Sequence, residues 1–409
     1  TIGNYNTAIG LRSLSANIDG DNNTAIGYKA LEDYDDGDGN GHNTAVGSRS
    51  QFNATTGEFN TSLGSLSVGG GVTTGDSNTA LGYTAGQQLT SAADNTLVGR
   101  AAGGAITTGA RNTAVGTFSL SAENAHGNNV AVGYAALNTL DAGAEGNNVA
   151  VGSNAGKLMT TGINNSLLGY NAGTAITTGV ENTLIGSLAG DALTTGVSNV
   201  ALGFAALSAS VDGDSNTAIG YAALLAYEDG DGNGHNTAVG AASQAAATTG
   251  EFNTSLGSEA ISNGVMTGNS NVAIGYQTGK NLTSGHQNIL IGNQAGDAIT
   301  VAENNVAVGH GALTSNVFGN YTVAIGAAAL ELQNPANGSH SVYNIGIGYQ
   351  AGRNITSGHG HTLIGGQAGD AITSSIDNTA MGKEALSGET TGSYNVAIGR
   401  DALKVQNTG

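Results

Sequence analysis

One five-residue pattern recurs through the whole chain. It reads Asn-Thr-Ala-Ile-Gly at 6–10 and 23–27, Asn-Thr-Ala-Val-Gly at 43–47 and Asn-Val-Ala-Ile-Gly at 395–399. Its closing glycine occurs 23 times, and most steps between successive closing glycines are 17 residues long. A fixed period of this length is typical of a solenoid, in which each repeat forms one coil stacked on the preceding coil. We therefore expect a single continuous repeat region over residues 1–409.

The residues before each closing glycine alternate as they do in a β-strand. The last of them is Ile, Val, Leu or, once, Met381, the one before it is usually Ala, and the one before that is most often Thr or Val. Short alternation with β-branched residues predicts a strand, and the 68 glycines argue against helices. The sequence thus predicts an all-β fold, a parallel β-solenoid (β-roll) of about 23 coils with a 17-residue period.

The position four residues after the closing glycine holds either a bulky residue or glycine. It is glycine in nine coils, and each of those coils carries an aliphatic residue three places later, as Gly86 does with Leu89. Where Leu replaces Ala in the middle of a strand, as at Leu97, the preceding coil always has glycine at this position. Such an exchange of volume is expected of a close-packed interior. It indicates that the middle residues of the strands face into the coil.

The opposite face of each strand then points outward and carries the aliphatic residue that precedes the closing glycine. Leaving such a residue in water would forgo roughly 2 kcal/mol for each side chain. A monomer rarely exposes so long an apolar surface, so we expect copies of the chain to pack through it around a common axis. The predicted core of this homotrimer contains Ile9, Ile26, Val46, Leu63, Val115, Val132, Ile185, Ile219, Val239, Ile274, Ile325 and Ile398.

Asparagine precedes the strand in 21 of the 23 coils, and Thr322 and His361 are the exceptions. Stacked Asn side chains can hydrogen-bond along a solenoid as a ladder, and we predict this structural role in preference to a catalytic one. The predicted ladder includes Asn6, Asn23, Asn43, Asn60, Asn78, Asn112, Asn182, Asn216, Asn236 and Asn395.

Two further features recur at the edges of the coils. Thr-Thr-Gly or Thr-Ser-Gly closes many of them, for instance at 107–109 and 283–285, and we expect this glycine to supply a positive φ. Tyrosine directly follows the closing glycine in seven coils, and we expect it to cover a rim of the roll.

Composition excludes several classes of function. A net charge of −19 disfavours nucleic acid and anionic membrane surfaces as partners. The chain has no Cys, so disulfides, thiol catalysis and metal sites with cysteine ligands are excluded. No run of 18 apolar residues occurs, so we expect no membrane insertion in this segment. An enzyme of the β-helix type is disfavoured because no acidic cluster stands outside the repeat register.

Two 20-residue coils contain the acidic loop Asp-Gly-Asp-Gly-Asn-Gly, at 36–41 and 229–234, within a block that is duplicated at an offset of 193 residues. The spacing resembles the first half of a calcium loop, in which alternate oxygens converge on the ion. Glycine stands where the twelfth-position Glu of such a loop is expected, so a plain acidic turn is the alternative to calcium, the one candidate cofactor. The candidate ligands are Asp36, Asp38, Asn40, Asp229, Asp231 and Asn233.

The pattern Asn-[Thr/Val/Ser]-Ala-[Ile/Val]-Gly, in register over the whole chain, resembles the head repeat of the YadA-like trimeric autotransporter adhesins. It is also similar to repeats in phage tail-fibre proteins. The resemblance implies left-handed parallel β-rolls that lie side by side in a trimer, with their apolar columns at the threefold axis. The coils here are longer than the usual head repeat, which predicts a larger outer loop on each coil.

We therefore expect a structural and adhesive segment of an extracellular fibre, without enzymatic activity. Its partners would be further copies of itself and a host-surface or matrix receptor, with a glycan among the candidates, contacted through loops at 35–42, 228–235 and 333–341. The alternatives are a phage tail-fibre shaft for host recognition, located on the virion, and an ice-binding β-solenoid, because flat Thr-bearing faces can order water. The chain begins and ends inside a repeat, which suggests a fragment of a longer fibre protein.

Overall fold

The computed structural model describes residues 3–35, 37, 40–228, 233–335 and 341–404. The chain divides into two compact units, Thr1–Asn199 (unit 1) and Val200–Gly409 (unit 2). Both units consist of three-residue strands joined by turns, and no helix occurs within the described ranges. The expected all-β class is thereby confirmed.

The described residues of unit 1 form eleven strands, one for each coil. They are β1 (Thr7–Ile9), β2 (Thr24–Ile26), β3 (Thr44–Val46), β4 (Thr61–Leu63), β5 (Thr79–Leu81), β6 (Thr96–Val98), β7 (Thr113–Val115), β8 (Val130–Val132), β9 (Val149–Val151), β10 (Ser166–Leu168) and β11 (Thr183–Ile185).

Twelve strands of the same length occur in the described part of unit 2. They are β12 (Val200–Leu202), β13 (Thr217–Ile219), β14 (Thr237–Val239), β15 (Thr254–Leu256), β16 (Val272–Ile274), β17 (Ile289–Ile291), β18 (Val306–Val308), β19 (Val323–Ile325), β20 (Ile345–Ile347), β21 (Thr362–Ile364), β22 (Thr379–Met381) and β23 (Val396–Ile398).

Within each unit every strand pairs in parallel with the next strand along the chain. The pairing is in register, so that Thr7 is opposite Thr24 and Ile9 is opposite Ile26. The same register holds in the longer coils, where Val323 is opposite Ile345. Each unit is thus a parallel β-solenoid with a period near 17 residues, as the spacing of the closing glycines predicts.

The middle residue of each strand is buried from β2 to β23. In this interior, a large side chain in one coil fills the space left by glycine in a neighbouring coil. A β-carbon on Gly86 would lie 2.8 Å from Leu89 Cδ1 and 2.9 Å from Leu97 Cδ1. A β-carbon on Gly103, in the following coil, would lie 2.6 Å from Leu97 Cδ2. Leu97 therefore fills space that two glycines leave open, and the small residues do face inward.

The closing glycines form a column in which neighbouring backbones are in direct contact. Their φ angles lie between +118° and +146°, a region that L side chains rarely adopt. A β-carbon on Gly82 would lie 2.4 Å from the carbonyl oxygen of Gly99 in the next coil. Both the backbone angle and the close approach require glycine here, which explains why the pattern always ends in this residue.

The expectation that the Thr-Thr-Gly turns use glycine for a positive φ is wrong. Gly109 does not adopt a positive φ; a β-carbon there would lie 2.3 Å from the carbonyl oxygen of His126, so glycine is needed for close packing between coils. Positive φ occurs at three other positions of the coil and in many residue types, as at Tyr5, Arg12 and Leu14. These are the residue before the asparagine and the second and fourth residues after the closing glycine.

Candidate interaction surface

The outward residues of the strands form the main apolar surface of each unit. We define the apolar stripe as the first and third residues of each strand together with the residue that follows the closing glycine. None of the twelve predicted trimer-core residues is enclosed by its own chain. Four are exposed, namely Ile9 (59 %), Leu63 (47 %), Ile325 (38 %) and Ile398 (68 %). The others are half-buried, namely Ile26, Val46, Val115, Val132, Ile185, Ile219, Val239 and Ile274.

Aromatic rings extend the apolar stripe on its closing-glycine side. The seven tyrosines of this column are all exposed, from 42 % at Tyr28 to 62 % at Tyr221. Phe204 occupies the same position one coil before Tyr221, and the two rings stack with 5.6 Å between their centroids. The stripe thus offers aliphatic and aromatic groups side by side. The first and third residues of the described strands are all uncharged, whereas Arg100, Lys383 and Arg400 occupy the position after the closing glycine.

A column of buried asparagines lies next to the stripe and joins successive coils. Asn60 Oδ1 accepts hydrogen bonds from the backbone N–H of Asn78 at 2.9 Å and from its Nδ2 at 3.1 Å. Asn78 Nδ2 also donates to the carbonyl of Ala92 at 2.8 Å. The predicted ladder positions are buried at Asn23, Asn43, Asn60, Asn78, Asn112, Asn182, Asn216 and Asn236, and half-buried at Asn6 and Asn395.

The two exceptions to the asparagine pattern still take part in the column. The backbone N–H of Thr322 donates to Asn305 Oδ1 at 2.9 Å, and that of His361 donates to Asn344 Oδ1 at 3.0 Å. His361 Nδ1 in turn accepts from the backbone N–H of Asn378 at 3.2 Å. His361 Nε2 lies 2.8 Å from the carbonyl oxygen of Ser375, so both ring nitrogens have partners and His361 replaces asparagine as an acceptor in the column.

No family model matches the sequence, and no curated protein matches it. The resemblance to adhesin head repeats thus depends on the repeated sequence pattern alone. In the described part of the chain, no helix is long and apolar enough to cross a membrane.

The predicted calcium loops are described only at their edges. Asp36, Asp38, Asp229 and Asp231 lie outside the described residues. Asn40 and Asn233 are exposed, and their backbone carbonyls accept hydrogen bonds from the hydroxyls of the buried Tyr34 and Tyr227, at 3.2 and 2.8 Å. A buried tyrosine thus anchors the end of each acidic loop, and calcium binding stays a prediction.

One cluster of possible metal ligands was not predicted from the sequence. It consists of Glu123, His126 and Asp141, with His126 Nδ1 3.3 Å from Glu123 Oε1 and 3.8 Å from Asp141 Oδ1. The fully buried Glu123 accepts hydrogen bonds from the backbone N–H groups of Asn124, His126 and Ala142. Since these bonds engage both carboxylate oxygens, the arrangement is suited to holding a loop. The repeat pattern carries no signal for it, because the three residues occupy non-equivalent loop positions.

Proposed function

We propose that this chain is a structural and adhesive segment of an extracellular fibre, in which three parallel copies pack through their apolar stripes. The observation that carries the proposal is the exposure of the aliphatic column before the closing glycines, with Leu168 at 49 % and Ile398 at 68 %. The proposal follows the resemblance to YadA-like adhesin heads, and a phage tail fibre is the alternative setting. The role is not enzymatic in either case.

The size of the exposed column supports assembly. Burial of a Leu, Ile or Val side chain stabilises by about 2 kcal/mol, and the stripe presents one such residue in nearly every coil. Even partial burial of these residues between copies would exceed the cost of bringing the copies together, which is on the order of 10 kcal/mol. Repeated loops on each copy could then bind a receptor many times over, so that weak contacts add up through valency.

The oligomeric state of the full chain tests the proposal. Sedimentation equilibrium should give three times the chain mass of 40.1 kDa. Leu168→Asp, within the stripe, should shift the protein towards monomer, because it would place a charge in an apolar contact. Leu158→Asp is the matched control: Leu158 is 48 % exposed, like Leu168, but lies in a turn away from the strands, so this variant should stay trimeric. A monomeric parent protein would overturn the proposal.

The column of threonines in unit 1 supports ice binding as a second candidate function. From β1 to β7 the first strand residue is always Thr, and the in-register pairing aligns these residues in one column, with Thr61, Thr79 and Thr96 exposed. Regularly spaced hydroxyl and methyl groups could order water. The test is thermal hysteresis of the purified protein. Hysteresis that disappears in the Thr79→Lys variant would favour ice binding over the fibre role, and absence of hysteresis in the parent protein would exclude ice binding.

A further inference from the structure

One line of side chains in unit 2 combines aromatic rings with polar clefts. Its members occupy the position directly before the asparagine column, one in each coil, at a spacing of about 4.8 Å. Phe252 begins the line: it is 54 % exposed, and its ring stacks on His235 with 5.2 Å between the centroids. The next member is Ser270, which is too small to cover the second face of the Phe252 ring. One aromatic face is therefore open.

A shallow cleft of about 220 Å³ follows Phe252 along this line. Asn269 and Ser270 line it on one coil, and His286 and Gln287 line it on the next. The side chains of Ser270 and Gln287 are exposed and form no hydrogen bond with the described parts of the chain. Their hydroxyl and amide groups can therefore donate to a ligand and accept from it.

Glu303 lines a second cleft of about 370 Å³ and contacts His286, which lines the first. Its Oε2 lies 2.5 Å from His286 Nε2, and its Oε1 accepts a hydrogen bond from Asn320 Nδ2 at 3.4 Å. This network holds the carboxylate in place. The second cleft ends at Tyr321, whose ring stacks on Tyr343 with 5.2 Å between the centroids. Tyr321 thus lines the second cleft, and Phe252 lies one coil before the first.

This combination suits a ligand with apolar faces and a rim of hydroxyl groups. The C–H face of a pyranose ring packs on an aromatic side chain, and its hydroxyls pair with amide, imidazole and carboxylate groups. Because the subsites follow a straight line, an extended β-linked chain fits better than a coiled one. The carboxylate of Glu303 and the net charge of −19 disfavour an anionic glycan.

We propose that the line from Phe252 to Tyr343 is a binding site for a neutral, extended oligosaccharide. The inference names a ligand class for the adhesive role proposed above and rests on that role for its biological meaning. The site itself lies within one chain. Its members precede the asparagine column, whereas the apolar stripe follows that column, so ligand binding and assembly can be measured separately.

Unit 1 supplies a natural control. Its Phe59 ring is also 54 % exposed and stacks on His42 at the same centroid distance of 5.2 Å. The offset of 193 residues places Ala93 and Ala110 where unit 2 has the imidazole and the carboxylate of the network. Unit 1 keeps polar residues beside its aromatic platform, with Asp76, Ser77 and Asp94 in place of Asn269, Ser270 and Gln287, but it lacks this imidazole and this carboxylate. Because that pair is missing, removal of the Phe59 ring should not affect binding.

Isothermal titration of the full chain with three neutral β-1,4-linked probes, cellohexaose, chitohexaose and mannohexaose, tests the site. We expect saturable binding of at least one probe with one site per chain. Phe252→Ala should weaken that binding about tenfold, because it removes the stacking surface, whereas Phe252→Tyr should retain it. Gln287→Ala should also weaken it, and Phe59→Ala should leave it unchanged.

The outcomes separate this inference from the proposed trimer. Absence of binding for all three probes, or binding that Phe252→Ala does not weaken, overturns the site even if the chain is trimeric. Binding that is retained in the dissociated Leu168→Asp variant supports the site without reference to assembly. The parent protein could also be monomeric and bind a probe with the expected effects of the substitutions. That result would support the site and overturn only the fibre proposal.

Discussion

Asn78 Oδ1 accepts two hydrogen bonds from one residue of the next coil, from the backbone N–H of Asn95 at 3.1 Å and from its side-chain Nδ2 at 3.0 Å. Asn95 Oδ1 then accepts from the backbone N–H of Asn112 at 2.9 Å. Asn95 therefore accepts from a buried donor of the following coil while its own amide donates to the preceding one. Removal of one side chain leaves unpaired groups on both sides.

Asn95→Ala should accordingly lower the free energy of unfolding by about 1–3 kcal/mol, since it leaves the buried N–H of Asn112 without its acceptor. Guanidinium unfolding followed by circular dichroism measures the change. Asn354→Ala is the control, because Asn354 is exposed and its side chain forms no hydrogen bond with the described residues. Equal effects of the two substitutions would contradict a structural role for the column.

The closing glycines should not tolerate a side chain. Gly82→Ala would combine a φ of +143° with a β-carbon 2.4 Å from a backbone oxygen, so we expect it to cost at least about 2 kcal/mol of stability or to prevent folding. Gly366 has no atom within 4 Å of its would-be β-carbon and no positive φ. Gly366→Ala should therefore remain within about 0.5 kcal/mol of the parent. The thermal midpoints of the two variants measure this difference. Equal midpoints would contradict the requirement for glycine at the closing position.

The exchange of volume around Leu97 predicts coupled substitutions. Leu97→Ala should destabilise by about 2–5 kcal/mol through the cavity it leaves. Gly103→Ala should also destabilise, because its β-carbon would lie 2.6 Å from Leu97 Cδ2. The double variant should be more stable than the sum of the two effects predicts, since the shorter residue 97 removes that contact. A double-mutant cycle measured by chemical denaturation checks this, and strict additivity would argue against direct packing.

His361 predicts a pH dependence that the asparagine positions lack. Burial lowers the pKa of His361 below its ordinary value of 6.5; the hydrogen bond to the Ser375 carbonyl opposes this shift, His359 adds to it and Asp377 opposes it. Nδ1 accepts the Asn378 N–H, so protonation in the folded state would bring two donors together. The unfolded chain binds the proton more readily, and stability should therefore fall as the pH drops below about 6.5 towards the lowered pKa.

His361 contributes a limited slope to the pH dependence of stability. One such group changes the free energy of unfolding by at most about 1.4 kcal/mol per pH unit. His361→Asn restores the residue found in most coils and should remove this component, so its thermal midpoint should change less between pH 8 and pH 5 than that of the parent. An identical pH response in parent and variant would assign the effect to other groups.

The sequence was sufficient for the fold because each coil interacts mainly with its neighbours. The repeat period predicts which residues lie above one another, and the link between Gly86, Leu89 and Leu97 shows which strand face is inside. The left-handed backbone positions could not be predicted from residue types. Lys29, for example, adopts a φ of 58° because its N–H donates to the Leu11 carbonyl of the preceding coil at 2.9 Å. The neighbouring coil imposes the angle.

The candidate sites were less predictable for a related reason. The exposed column was foreseen from the strand alternation, but the clefts beside Asn269 and Tyr321 depend on how 17-, 18- and 22-residue coils place their loops side by side. The repeat period predicts that Phe252 lies next to Ser270. It does not predict that one face of the Phe252 ring stays open. Loop geometry is set by backbone contacts between unequal coils, and residue types carry little information about it.

The left-handed residues also bear on how the chain acquires its structure. Each coil holds up to three non-glycine residues in this conformation, such as Tyr5, Arg12 and Leu14, and each costs roughly 1 kcal/mol or more in isolation. A single coil cannot recover that cost, because the hydrogen bonds that offset it come from adjacent coils. Folding should therefore begin with a slow nucleus of several coils and then proceed rapidly by addition of one turn at a time.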